Sequence, residues 1–105
     1  MATDPRRKNG ARRNAIRKRI ASFGLPCALC GAPIDYTLGA GEPLSFEVDE
    51  IVPVSLGGNP LDISNCQPAH RHCNLKRSNM TMQQWRSREA ATKARQAPNK
   101  TTTQW

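Results

Sequence analysis

Two short segments of the chain carry cysteine and histidine at a spacing that suits a metal ion. The segment CALC contains Cys27 and Cys30, and the later segment NCQPAHRHCNLK offers His70 and Cys73 with the same two-residue gap. Two such pairs supply the four ligands of a tetrahedral site, and three cysteines with one histidine are a ligand set of structural zinc. We therefore predict a structural Zn²⁺ site at these residues; unligated buried cysteines are the alternative.

Cys66 and His72 lie close to the second pair and are spare candidates for the same ion. Cys66 falls in strand register, which is typical of a small core residue. His72 lies two residues after His70 and should point elsewhere. We predict that neither binds zinc, and that His72 is a phosphate contact or a surface residue rather than a base.

Two adjacent carboxylates occur in the segment SFEVDEIVPVSLGG. Asp49 and Glu50 end an apolar run and are followed by a proline and a glycine pair, so we expect them where a strand gives way to a loop. Two further acidic residues, Asp35 and Glu47, are interpreted as solvated surface residues, and a second carboxylate site is the alternative. The chemical role of Glu50 is the question that this segment raises.

Positive and negative charges are segregated along the chain. Sixteen Lys and Arg against eight Asp and Glu give a net charge of +8, yet residues 20–70 contain six acidic residues and no Lys or Arg. Basic flanks around an acidic centre suit a protein that binds phosphates with its ends and a cation with its middle. An ordinary solvated basic surface is the alternative.

Length and hydropathy exclude several classes of protein. A chain of 105 residues has room for one small domain, whose core is usually marginally stable unless a metal or disulfide reinforces it. We find no stretch of roughly 20 apolar residues that would span a membrane, and the start MATDPRRKNG lacks the apolar centre of a signal peptide. We therefore expect an intracellular, non-secreted protein, in which cysteines are more often metal ligands than disulfides.

The elements that must position these residues are predicted to be short. The sequence predicts a basic amphipathic helix over residues 5–23, a strand over Phe46–Val52, a second strand around Cys66–Ala69, a helix over residues 71–79 and a last helix that ends near Gln96. Thr81 and Gln84 form a capping box for that last helix. The corresponding division is an N-terminal basic arm (1–24), a core (25–80), a C-terminal helix (81–97) and a flexible tail (98–105).

Each flanking helix has a predicted buried side. For the first helix it consists of Ala11, Ala15, Ile16, Ile20 and Phe23, with Gly24-Leu25-Pro26 as the stop. For the last helix it consists of Met82, Trp85 and Ala90.

The string VDEIVPVSLGGNPLDISNCQPAHRHCNLK, preceded by CALC, resembles the HNH (His-Asn-His) endonuclease family. The basic first helix and the order of the motifs are more narrowly similar to small HNH proteins encoded by tailed bacteriophages, over about residues 12–88. The resemblance implies a small α+β protein with the ββα-metal (His-Me finger) fold, a zinc knuckle and flanking basic helices. It also implies cleavage of DNA phosphodiesters with Mg²⁺, Mn²⁺ or another divalent ion.

The resemblance also implies roles for individual residues. Asp49 matches a ligand of the catalytic divalent ion, and Asn74 stands at the third motif position, which binds the same ion. Asn65 matches the middle asparagine, which orients the general base. Lys76 lies where the family keeps positive charge near the phosphate. Glu50 stands at the first histidine, the residue expected to take the proton from the attacking water.

Three interpretations of Glu50 follow from this departure. A free glutamate is a weaker proton acceptor than imidazole at neutral pH, and it places a negative charge beside a phosphate. Glu50 serves as the base with a pKa raised by its acidic neighbours, or joins Asp49 as a metal ligand, or is a replacement that impairs or abolishes activity. The family resemblance holds under all three.

The resemblance and the charge pattern together predict DNA as the partner. The predicted phosphate contacts are Arg12, Arg13, Arg17, Lys18, Arg19, Arg71, Lys76 and Arg77. The predicted function is a metal-dependent DNA endonuclease; a non-cleaving, zinc-stabilised DNA-binding or packaging accessory protein is the alternative, and a zinc module that binds protein is a weaker one. Resemblance to the phage proteins also implies a terminase large subunit as partner and the host cytoplasm as location.

Overall fold

The computed structural model describes residues 9–96, and the elements in this range alternate between short helices and a two-stranded ribbon. In chain order they are α1 (Gly10–Ser22), β1 (Phe46–Glu50), two 3-10 helices (Val54–Leu56 and Ile63–Asn65), β2 (Cys66–His70), α2 (Arg71–Arg77) and α3 (Met82–Gln96). This small α+β arrangement, a two-stranded ribbon followed by a helix, confirms the predicted fold class. The predicted helical residues 5–8 and the predicted tail 98–105 lie outside the described residues.

The antiparallel ribbon sets the geometry of the whole centre. Phe46 pairs with His70 and Asp49 pairs with Gln67, so the acidic end of β1 lies beside the start of β2. β1 ends at Glu50 and not at Val52 as predicted, because the next backbone N–H groups bond to Asn65: that of Ile51 donates to the Asn65 carbonyl at 2.8 Å. The first 3-10 helix and its flanking turns then return the chain to β2.

Two small clusters of buried side chains form the core. One contains Cys27, Leu29, Ala69, Cys73 and Trp85, and it joins the CALC turn to the ribbon, α2 and α3. The other contains Ile20, Phe46 and Cys66 and lies between α1 and the ribbon. Cores of this size contribute limited apolar burial, which is the situation in which a bound metal adds most to stability.

α1 contacts the ribbon over a narrower face than predicted. Ile20 is buried and Ile16 is half-buried, but Ala11 and Ala15 are exposed and Phe23 is 52 % exposed. The helix rests on the ribbon through its second half only. It ends at Ser22, one residue before the predicted end, and Gly24 of the predicted stop adopts a left-handed conformation with φ of +62°.

α3 begins with the predicted capping box. The backbone N–H of Gln84 donates to the Thr81 hydroxyl at 3.1 Å, and the Gln84 side-chain oxygen accepts from the Thr81 N–H at 2.9 Å. Trp85 is buried one turn into the helix, but Ala90 is exposed, contrary to prediction, because the helix leaves the core after its first two turns. Among the described helices, none has the length and apolarity needed to cross a bilayer.

Candidate functional site

The four predicted zinc ligands come together at the junction of β2 and α2. The ligand atoms of Cys27, Cys30, His70 and Cys73 all lie within 4.8 Å of one another. His70 Nδ1 lies 3.4 Å from Cys30 Sγ and 3.9 Å from Cys73 Sγ. Tetrahedral zinc with its usual bond lengths separates such ligand atoms by about 3.5–3.8 Å. The arrangement therefore fits Zn²⁺, and its chemistry is that of a structural site.

His70 is oriented for this role by a second contact. Its Nε2 lies 3.0 Å from the carbonyl oxygen of Pro33, which can only accept a hydrogen bond. The proton is therefore on Nε2, and the Nδ1 lone pair faces the thiols. A ligand histidine whose other nitrogen donates to a carbonyl is the usual outer-shell arrangement of zinc sites.

The thiols differ in how readily they ionise without a metal. Burial acts to raise the pKa of the Cys27 thiol, but backbone N–H groups, that of His70 foremost, outweigh burial and leave this pKa below its ordinary value. Burial, together with the neighbouring Cys27 charge, raises the pKa of Cys73 to about 12. A cation is what allows such crowded thiols to ionise together.

The two spare candidates lie outside this cluster. Cys66 is buried between α1 and the ribbon, and its thiol donates to the carbonyl oxygens of Pro60 and Asp62. His72 is exposed on α2. Both positions agree with the sequence-based interpretation.

Asp49 is buried at the end of β1, with 3 % of its surface exposed. Its Oδ2 accepts hydrogen bonds from Gln67 Nε2 at 2.8 Å and from Arg77 Nη1. Burial raises the pKa of this carboxyl, and the contacts with Gln67 and Arg77 partly offset the effect. Oδ1 has no hydrogen-bond partner among residues 9–96, and Asp49 borders a cleft of about 260 Å³ together with Glu50 and Asn74.

Arg77 is fully buried, and its guanidinium fastens α2 to the end of β1. Besides Asp49 it donates to the carbonyl oxygens of Glu50 at 2.7 Å and Ile51 at 2.5 Å, while Nε donates to that of Met80. Sequence reasoning assigned Arg77 to DNA phosphates. That assignment is corrected, because the side chain has no exposed surface to offer a ligand.

Asn74 lies on α2 and borders the same cleft as Asp49. Its Nδ2 donates to Glu47 Oε1 at 3.0 Å, and its Oδ1 accepts no hydrogen bond within the described part of the chain. Glu47 Oε2 in turn lies 3.4 Å from Nε of Arg71. Arg71 of α2, a predicted DNA contact, thus forms an ion pair with Glu47 of the ribbon.

Glu50 leaves β1 on the opposite face from Asp49, because side chains alternate along a strand. It borders the cleft that contains Asp49 and also a second cleft, of about 300 Å³, between α1 and β1, to which Arg13 contributes. Burial raises the pKa of Glu50, and the nearby Asp49 charge raises it further, while Arg13 and Arg77 oppose both effects. The carboxylate is therefore a stronger proton acceptor than a solvated glutamate.

Asn65 holds the loop that follows Glu50. Its Oδ1 accepts from the Val52 N–H at 2.9 Å, and its Nδ2 donates to the carbonyl oxygens of Val52 and Asn59. The loop passes so close that a Cβ on Gly58 would lie 1.7 Å from the Val52 oxygen. Asn65 therefore acts on the backbone after Glu50 and makes no direct contact with its carboxylate.

The remaining predicted DNA contacts are mostly on the surface. Those that are exposed are Arg12, Arg13, Lys18, Arg19 and Lys76. Arg17 is half-buried, with its guanidinium 4.9 Å from the centre of the Phe46 ring and Nη2 donating to the Phe46 carbonyl. Part of its hydrogen-bonding capacity is therefore already used.

Sequence reasoning missed two polar residues of the site, Glu47 and Gln67. Glu47 was interpreted as a solvated acid, yet it lies two positions before Asp49 on β1 and contacts Asn74. The period of two in a strand was the signal that places both acids on one face. Gln67 is the register partner of Asp49, which becomes apparent only when the pairing of the strands is known.

Comparison with known families agrees with this geometry. A model of the HNH endonuclease family matches residues 27–80, which include the cysteine and histidine cluster, the ribbon and α2. Searches of curated proteins and of solved structures gave no match. Because the match covers more than half of the 105 residues, the chain belongs to the HNH endonuclease family.

Proposed function

We propose that the chain is a metal-dependent endonuclease that hydrolyses the phosphodiesters of duplex DNA. One observation carries the proposal: the Oδ1 atoms of Asp49 and Asn74, neither with a hydrogen-bond partner in residues 9–96, belong to residues that border one cleft with Glu50. Oxygen donors of this kind suit Mg²⁺ or Mn²⁺. A divalent ion bound there supplies charge stabilisation of the phosphate and leaving oxygen.

In this proposal Glu50 is the general base. The pKa of Glu50 is raised, which brings it closer to the pKa of an effective base at neutral pH. A carboxylate oxygen of Glu50 then takes the proton of the attacking water. Glu50 also borders the cleft with Arg13, which Asp49 does not, and this favours separate roles over two ligands for one ion. Arg77 positions Glu50 by donating to its carbonyl oxygen, and Asn65 does so by binding the backbone of Val52, which follows.

The remaining residues bind substrate or maintain the fold. Arg13 borders a cleft with Glu50, and with Arg12, Lys18, Arg19 and Lys76 it offers positive charge to phosphates. Cys27, Cys30, His70 and Cys73 hold a structural zinc ion. In our proposal residues 1–24 are a DNA-binding arm, 25–80 the catalytic core, 81–97 a supporting helix and 98–105 a tail. Resemblance to phage HNH proteins supports a terminase large subunit as partner and the host cytoplasm as location.

A plasmid nicking assay with Mg²⁺, Mn²⁺ or EDTA tests the proposal. Glu50→Gln removes the base and should lower the rate by about 10² to 10⁴, whereas Glu50→His, which introduces a base with pKa near 6.5, should cut at least as fast as the parent. Glu89→Gln on α3 makes the same change of charge away from the cleft and should cut like the parent. If Glu50→His shows no metal-dependent cutting, the catalytic assignment is wrong.

A second candidate function is DNA binding without cleavage, as a zinc-stabilised packaging accessory protein. The observation in its favour is the carboxylate at position 50, which repels a phosphate where the family has a histidine. Retarded migration of duplex DNA at low salt, with no nicking by the parent chain in either metal, would support it.

A further inference from the structure

The Asn74 side chain presents two chemically opposite ends of similar size. Only its amide oxygen can bind a cation, whereas the NH₂ group carries donors that a cation repels. Asn74 Nδ2 lies 3.0 Å from Glu47 Oε1, and an ionised carboxylate can only accept hydrogen bonds. The contact therefore fixes the nitrogen toward Glu47 and leaves the oxygen to the cleft.

We propose that Glu47 is a positioning residue that orients the Asn74 amide so that its oxygen faces the catalytic divalent ion. The inference rests on the proposed function, in which Asn74 binds that ion. Glu47 itself does not bind the ion, because both of its oxygens have other partners, Asn74 on one side and Arg71 on the other.

Arg71 completes this arrangement. It begins α2 three residues before Asn74, so the two side chains lie on one face of the helix, and its Nε lies 3.4 Å from Glu47 Oε2. Side chains that are 37 % and 33 % exposed form a pair of little value for stability. The value of the Arg71–Glu47–Asn74 chain is therefore orientation: Arg71 holds the Glu47 carboxylate in place, and Glu47 keeps the amide from turning.

Binding of Mn²⁺ to the full-length, zinc-loaded chain tests this inference, with free Mn²⁺ measured by electron paramagnetic resonance. Glu47→Gln preserves size but can donate as well as accept, so the Asn74 amide is free to turn. We expect about 10-fold weaker Mn²⁺ binding, the lower end of the usual effect of losing an outer-shell partner. Glu89→Gln should bind like the parent, and unchanged zinc content and circular dichroism show that the variants are folded.

The same substitution in an Asn74→Asp variant distinguishes an orienting role of Glu47 from an effect of its negative charge. Asn74→Asp places a carboxylate in the cleft, which offers oxygen at either position and needs no orienting. Glu47→Gln should therefore weaken binding in the parent but not in the Asn74→Asp background, where it also removes a repulsion. A role of Glu47 as mere negative charge near the ion predicts the same fold-loss in both backgrounds, and that result overturns the inference.

The remaining outcomes are also decisive. If the parent binds Mn²⁺ and Glu47→Gln binds it equally well, the positioning role is wrong while the metal site stands. If the parent shows no Mn²⁺ binding, the proposed catalytic metal site fails and the inference fails with it.

Discussion

The guanidinium of Arg77 carries a positive charge and is fully buried. Its partner Asp49 is similarly buried, so each charge depends on the other for compensation. Removing one member of such a pair typically costs about 3–5 kcal/mol, whereas replacing both by neutral groups costs much less. The pair thus makes the end of β1 sensitive to single changes at either residue.

We expect Arg77→Met to lower the free energy of unfolding by about 3–5 kcal/mol, because it leaves the Asp49 carboxylate buried without its cation. Adding Asp49→Asn should recover a large part of that loss. Urea denaturation of the zinc-loaded proteins measures both effects. If the free energy of unfolding of Arg77→Met lies within about 1 kcal/mol of that of the parent, the result would contradict the buried ion pair.

The pH dependence of cutting should report the ionisation of Glu50. A base acts when deprotonated, so the rate should rise with pH through the raised pKa of Glu50 and fall as the pH drops below it. Arg13 lowers that pKa, so Arg13→Gln should move the acid limb of the profile to higher pH. Single-turnover nicking at saturating DNA, measured from acid to neutral pH, gives the midpoint.

Several groups besides Arg13 act on the charge of Glu50. Burial and Asp49 raise its pKa, Arg77 on α2 lowers it, and Cys66 on β2 faces it as a neutral thiol whose own pKa is raised. Arg12→Gln is the matched control, since Arg12 does not border the cleft with Glu50. An acid limb that moves equally in both variants would show that Arg13 has no particular relation to Glu50.

Among the elements, α1 carries four exposed basic residues, one of which, Arg13, borders a cleft with Glu50. The log of DNA affinity falls with the log of salt concentration by about 0.9 for each phosphate neutralised on duplex DNA. Changing the exposed residues Arg12, Arg13, Lys18 and Arg19 to glutamine should therefore reduce the slope by about 3 to 4. Affinity measured by fluorescence anisotropy across a salt series gives the slope.

α3 supplies a control of equal size for this experiment. It carries four exposed basic residues in the described range: Arg86, Arg88, Lys93 and Arg95. Changing these four to glutamine alters the net charge equally but should leave most of the slope in place. Equal reductions from the two sets would contradict a DNA-binding role specific to α1.

The elements with strong local signals were predictable from the sequence. The Thr81 and Gln84 capping box marked the start of α3, and β1 was found because its apolar alternation is local. The end of β1 was placed two residues late, since the bonds that terminate it come from Asn65. The buried faces of α1 and α3 were overestimated, because periodicity shows which side of a helix is apolar and not how far the rest of the fold extends beneath it.

The residues of the candidate site also differ in how well the sequence predicted their places. The grouping of the four candidate zinc ligands was predictable because the two-residue gaps encode the geometry of each half of the cluster. The places of Arg77 and Glu47 were not, since each depends on a contact with a partner 27 or 28 positions away in the chain. Charge alone suggested a DNA contact for the first and a solvated acid for the second, and tertiary contacts overrode both.

At the scale of the whole molecule, the cluster of Cys27, Cys30, His70 and Cys73 connects distant segments of the chain. It joins the turn at Cys27 and Cys30 to the junction of β2 and α2, beside the core cluster on which α3 rests. Metal binding of this kind contributes directly to the free energy of folding. A zinc ion bound to these four residues would therefore stabilise the small cores on either side of the ribbon.

We expect the purified chain to contain one zinc ion, and removal of that ion by a chelator to unfold the core cooperatively. Elemental analysis and far-ultraviolet circular dichroism measure these two properties. Cys30→Ser should lose the ion, whereas Cys66→Ser, which changes a cysteine outside the cluster, should keep it. Full zinc content in Cys30→Ser would contradict the ligand assignment.

The position of Trp85 allows its fluorescence to report on the candidate metal site. The indole N–H donates to the carbonyl oxygen of Leu29, inside the turn formed by Cys27 and Cys30, and Trp85 belongs to the same buried cluster as Cys27 and Cys73. We expect loss of a zinc ion bound there to release that turn and expose the indole to water, so that the emission of Trp85 shifts to the red. With Trp105 changed to phenylalanine, Trp85 is the single tryptophan, and its emission should follow zinc occupancy during DNA binding or cleavage without any label.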